Sequence, residues 1–168
     1  MLVDAVLAAR RQSDGSCSAL SLVLAGADRG VGDSLCGIAV QAGAADAVVQ
    51  LGSVGEEQLR KLYGGAIALT YPSLYEGFGL PLIEAMACGL PVIASNTASM
   101  PEVLGGAGIL VDPADRQAWT SAIVDMMNHE QTRDRLRAAG VRRAADYTWR
   151  RTAILTLDAY RGVLERQT

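Results

Sequence analysis

Two carboxylates, Glu76 and Glu84, stand eight residues apart with Gly77-Phe78-Gly79-Leu80-Pro81 between them. Proline suits the first position of a helix, where its missing N–H costs nothing and its φ is already helical. If Pro81 opens a helix, Glu76 falls in the loop just ahead of it and Glu84 in its first turn. The backbone N–H groups of Gly77, Phe78, Gly79 and Leu80 then lie between the two acids, near the positive end of the helix dipole. The two glycines let a ligand approach that backbone closely. An amide-rich loop at a helix N-terminus suits an anion such as phosphate, while carboxylates accept hydrogen bonds from sugar hydroxyls. Phosphate donors beside two hydroxyl acceptors fit a nucleotide sugar. An acid in a first helical turn also stabilises its helix by about 0.3–1 kcal/mol with no ligand present, so spacing alone leaves both readings open.

The elements that must position these groups follow from the apolar pattern. The chain has 168 residues, 50% hydrophobic and 20% charged, enough for one globular domain with a sizeable core and unlike a disordered or low-complexity chain. Short apolar runs closed by glycine or proline predict five strands, near 20–25, 47–51, 66–70, 90–94 and 107–111. Helical patterns separate them, beginning with residues 1–12, where Leu2, Val3, Val6 and Leu7 share a face. Residues 13–16 read as a loop. Asp33 or Ser34 is the expected cap of a second helix that Gly43 stops. A short third helix runs from Glu56 to Tyr63. From Asp115 onward only helices are expected, three of them, breaking near His129 and near Tyr147-Thr148. Strands alternating with helices predict an α/β fold with a mainly parallel, doubly wound sheet and a helical C-terminal part over 115–168. In such sheets the ligand cleft lies at the carboxyl ends of the strands, where Glu76 and Glu84 are expected.

Charge and cysteines narrow the classes further. Residues 1–115 hold twelve acids and five bases, whereas residues 116–168 hold six acids and ten bases. Acids are interspersed among the tail arginines and the whole chain is acidic, so a solvated helical face is favoured over nucleic-acid binding, with contact to an anionic membrane surface as a third reading. No stretch is long and apolar enough to span a bilayer, and the N-terminal charge pattern is not that of a secretion signal. Cys17, Cys36 and Cys88 are odd in number and widely spaced, and His129 is the sole histidine. No zinc site or disulfide framework is expected, the thiols are read as buried and reduced, and the compartment as cytoplasmic.

The segment from Tyr71 to Ser95, YPSLYEGFGLPLIEAMACGLPVIAS, closely resembles the signature of the family 4 retaining glycosyltransferases. The likeness continues through Pro101-Glu102, Gly108 to Pro113, Leu22 to Gly26, Leu51 to Val54 and Tyr147-Thr148-Trp149. It implies a Rossmann-like donor-binding domain spanning residues 1–168, the C-terminal half of a two-domain enzyme. It also implies that Glu76 contacts hydroxyls of the donor sugar and supports charge developing during transfer. Gly77, Phe78, Gly79 and Leu80 would hold the sugar and diphosphate through backbone groups. Glu84 would accept from the ribose hydroxyls, and Ser53 and Val54 would lie near the base. The implied reaction retains anomeric configuration and uses no bound metal or other cofactor. The lack of an Asp-x-Asp pair agrees with that last point.

The chain also departs from the pattern. Family members carry an acceptor-binding domain and open the donor domain with a strand, whose following loop bears an Arg and a Lys for the diphosphate. The sequence begins at the helix after that loop, and its one lysine, Lys61, lies elsewhere. The expectation is a donor half without its first strand, dependent on an acceptor-binding domain or separate chain. The sheet is expected to part at its centre, and its remaining strands either close up or take in another segment or a second copy. Alternatives are a nucleotide-sugar binding module without catalysis, a nucleotide-sugar epimerase of related fold, a pyridoxal-phosphate phosphorylase, which would need a Schiff-base lysine, and a structural protein that kept the fold.

Overall fold

The computed structural model describes residues 1–12, 20–28 and 30–166. Helix α1 (Leu2–Gln12) leads into β1 (Leu22–Ala25), α2 (Gly32–Gln41) and β2 (Val48–Gly52). Next come α3 (Glu56–Gly65), β3 (Leu69–Tyr71), α4 (Leu80–Ala87), β4 (Val92–Ser95), α5 (Met100–Leu104) and β5 (Ile109–Val111). The chain finishes with α6 (Arg116–Asn128), α7 (Glu130–Ala144) and α8 (Trp149–Glu165). All five expected strands are present, and the breaks between the last three helices fall where the sequence places them. The expected loop at 13–16 and Cys17 lie outside the described residues. Strand β3 starts three residues late because α3 runs on through Gly65, with the Ala66 N–H still bonded to the Leu62 carbonyl.

Every pairing is parallel, as expected, but the strands form two sheets rather than one. Strand β1 pairs with β2, and β3, β4 and β5 pair in that order. The edges of β1 and β3 face a cavity of about 510 Å³ lined by Leu22, Val23, Tyr63, Ala68 and Ile93, with Val6 and Ile123 from the flanking helices. The sheet therefore parts at its centre, and the halves have not closed up. Helix α1 holds them at this distance. Its Val3 and Leu7 pack with Ala39, Ala47 and Val48 of the β1–β2 half. Its Ala5, Val6 and Ala9 pack with Ile93, Trp119, Ile123 and Met126 of the other half. A third cluster, built on Leu82, Met86, Val92, Met100 and Leu104, lies between β4 and helices α4 and α5.

Three local expectations change. Neither Asp33 nor Ser34 caps α2. Asp28 reaches forward instead, its Oδ1 accepting from the N–H groups of Gly30, Val31 and Gly32 at 2.9, 3.1 and 3.1 Å. Those bonds, the one from Gly32 foremost, hold its carboxyl below the usual range. The two described thiols are not fully buried: Cys36 is half-buried and Cys88 exposed, both free, and Cys88 caps the end of α4 rather than facing the core. The basic tail is more than a solvated face. Arg133 Nη1 donates to the carbonyls of Met126 and Met127 at 2.6 and 3.1 Å, satisfying the C-terminal end of α6. Helix α8 has no buried residue, and Trp149, Leu155, Tyr160 and Leu164 stand exposed along it.

Candidate functional site

Strand β3 ends at Tyr71, and residues 72–79 form a loop that delivers the chain to α4. The helix starts at Leu80, one residue earlier than expected, with Pro81 second. Gly79 takes the N-cap position with φ 96°, a left-handed conformation that disfavours any side chain. Its carbonyl accepts the Leu82 N–H at 3.0 Å. Glu84 is consequently the fifth helical residue and lies in the second turn, not the first, which takes it out of close reach of the helix dipole.

The loop is clamped from two sides. Thr97 and Ser99, in the segment after β4, reach across to it. The Ser99 hydroxyl lies 3.0 Å from the Glu76 carbonyl and 2.9 Å from that of Phe78, and the Thr97 hydroxyl donates to the Ser73 carbonyl at 3.4 Å. Phe78 meets the Tyr147 ring edge-on, with centroids 5.7 Å apart. Arg143 fixes Tyr147 in turn, donating to its hydroxyl at 2.7 Å and to the Glu102 and Val103 carbonyls at 2.6 and 3.0 Å. Within this frame Gly77 faces open space. Among the described residues, no hydrogen bond uses the N–H groups of Gly77, Phe78, Gly79 or Leu80.

Each acid of the motif faces a tyrosine. The Tyr71 hydroxyl donates to Glu76 Oε1 at 2.7 Å, a short, charge-assisted bond. The Tyr63 hydroxyl lies 3.5 Å from Glu84 Oε2, at the outer limit of a hydrogen bond. Glu76 is half-buried and Glu84 exposed. Burial, then the Glu84 charge, push the Tyr63 hydroxyl up from 10.0 to about 12. A raised folded-state value adds stability that is complete below the unfolded value and is lost as pH rises from there through the folded one. Urea midpoints should therefore fall between pH 10 and about 12, and fall less steeply in Tyr63→Phe.

Ser53 and Val54 lie in the turn after β2, exposed and half-buried, in the other half of the split sheet. No described hydrogen bond joins them to Glu76, Glu84 or the loop between. The loop lies where the sequence puts it, but Tyr71, Thr97, Ser99 and Tyr147 as its supports, and Tyr63 beside Glu84, are not evident from the sequence. A hydroxyl residue just past the following strand was the one local sign of the Ser99 contact. Ala98, next to it, holds φ 48° without being glycine. Left-handed strain of about 1–2 kcal/mol at an L-residue outweighs the entropic cost of glycine, about 0.4–1. Ala98→Gly should therefore raise stability by about 0.5–1 kcal/mol, read as a higher urea midpoint.

Parallel strands alternating with helices, all five strands paired in parallel, define a Rossmann-like α/β class of domain. The sequence model of glycosyl transferases group 1 matches residues 2–143, and the chain belongs to that family. It is 42% identical over 111 residues to O-antigen chain mannosyltransferase B of Escherichia coli, covering 66% of this chain and 29% of that protein. Sucrose-phosphate synthase from Thermosynechococcus elongatus superposes with a TM-score of 0.79 at 29% identity, over 98% of this chain and 42% of that one. The C-terminal domain of a group 1 glycosyl transferase from Francisella tularensis superposes with a TM-score of 0.73, over 86% of this chain and 75% of that one. At 22% identity that likeness is one of fold. The chain thus spans well under half the length of the mannosyltransferase and the synthase.

Proposed function

We propose that this chain is the donor-binding half of a retaining glycosyltransferase that takes a nucleotide sugar. The observation that carries the reading is the loop from Gly77 to Leu80. Its four N–H groups have no described partner, and the Tyr71-held Glu76 stands beside them. Those N–H groups bind the diphosphate and stay oriented towards the charge that grows as the sugar departs. Glu76 accepts from sugar hydroxyls and faces the positive charge developing on the ring. Glu84 accepts from the ribose, and Ser53 and Val54 border the base. Configuration at the anomeric carbon is retained and no metal is required, the backbone donors taking the part a divalent ion would otherwise play. A second domain or chain presents the acceptor. The free Cys36 and Cys88 suit a cytoplasmic setting, and among the described residues no helix is long and apolar enough to cross a membrane.

Thermal unfolding with UDP, GDP, ADP and their sugars tests this reading. A ligand that binds only the folded chain stabilises it by about 2.7 kcal/mol at a hundred times its Kd. One nucleotide series should raise the midpoint and the others should not. Glu84→Ala should weaken nucleotide binding by roughly 1–3 kcal/mol, the cost of hydroxyls left without a charged acceptor. Unchanged affinity would remove Glu84 from the site.

A further inference from the structure

We infer that Tyr71 is the positioning residue that presents Glu76 to the donor sugar, an inference that rests on the reading of Glu76 just given. A glutamate on a loop has three side-chain torsions to order before it can accept a hydrogen bond, and that ordering weakens binding unless the protein has already done it. Here two separate elements do it. The main chain of Glu76 is held by Ser99, whose hydroxyl lies 3.0 Å from its carbonyl. The side chain is held by Tyr71, 2.7 Å from Oε1.

Tyr71 is itself anchored. It is the last residue of β3, in register with Ala94 of β4, and its ring is half-buried against the Leu82–Met86 cluster. Burial and the Glu76 carboxylate both raise its hydroxyl pKa, so it remains a proton donor throughout the neutral range. Oε1 is taken by that bond, and Oε2 has no described protein partner, leaving one carboxylate oxygen aimed and available. The Tyr63–Glu84 pair does not do the same, since its 3.5 Å separation and an exposed Glu84 leave that carboxylate loosely held.

Tyr71→Phe keeps the ring and deletes only the hydroxyl. The test measures calorimetric affinities of the chain, of Tyr71→Phe, of Glu76→Ala and of the double variant, for UDP, GDP, ADP and their sugars. Tyr71→Phe should weaken binding of the nucleotide sugar three- to tenfold and leave the matching nucleoside diphosphate unchanged, because Glu76 meets the sugar alone. In the Glu76→Ala background the same change should have no further effect. Native-like affinity of Tyr71→Phe for the nucleotide sugar overturns the inference while the donor-site reading stands. Equal loss for diphosphate and sugar also overturns it, since that marks a general support of the loop. If the native chain binds none of these ligands, the donor-site reading falls and the inference with it.

Discussion

Purified by itself, the 168-residue chain is expected to bind a nucleotide sugar and to transfer none of it at a detectable rate. On the donor-half reading proposed above, one term of the barrier is unmet and a second only partly met. Holding the attacking hydroxyl in line can be worth about 7–11 kcal/mol, and that needs a surface to bind the acceptor. The chain corresponds to 29% of the mannosyltransferase it resembles and 42% of the synthase. The second term is the charge on the departing diphosphate. Residues 71–84 contain no lysine or arginine, so the loop meets that charge with backbone dipoles, which a fixed cation would ordinarily reinforce. The measurement is release of nucleoside diphosphate, with and without simple sugar acceptors, alongside the binding assay. Robust turnover that disappears in Glu76→Ala would overturn the expectation. Turnover that appears only when the chain is joined to the N-terminal part of a related enzyme would support it.

Trp119→Ala carries the largest expected change in stability. Trp119 is fully buried, packed with Ala5, Val6, Ile93, Val111, Met126 and Leu136, and its indole N–H donates to the Asp112 carbonyl at 3.1 Å. Truncating an aromatic side chain in such a place costs about 3–5 kcal/mol, a large share of the roughly 5–15 kcal/mol typical of a domain. The loss has a particular consequence here. Trp119 belongs to the surface on which α1 docks, and α1 is the helix that packs against both halves of the divided sheet. Amide exchange should therefore rise first in α1 and in β1–β2, ahead of the α4–β4–α5 cluster. Trp119→Phe should cost less, since the ring still fills much of the space and the main loss is the partner of the Asp112 carbonyl, about 1–3 kcal/mol. A urea-derived change below 1 kcal/mol for Trp119→Ala would show that this cluster does not carry the fold.

The sequence by itself determined the identity and order of the elements. Val92 to Ser95 and Ile109 to Val111 are short apolar runs closed by polar or glycine residues, and a strand buried on both faces has that pattern whatever lies beside it. The breaks at His129 and before Trp149, and the loop between Glu76 and Leu80, were legible for the same reason: caps, glycines and periodicity act within a few residues. Boundaries shifted where a local preference met a neighbouring hydrogen bond, as when Gly79 rather than Leu80 capped α4 and moved Glu84 to the second turn. Only the tertiary structure decided which groups meet. Ser99 reaches Glu76 and Phe78 from more than twenty residues away, and Tyr147 reaches Phe78 from farther still. The splitting of the sheet was foreseeable only through the family resemblance. Its form was not, because whether β1 and β3 join depends on how α1 packs against α2 and α6, a balance of burial among segments far apart in the chain. Hydrophobic packing is non-directional and is set by the whole assembly of surfaces, so no window of sequence contains it.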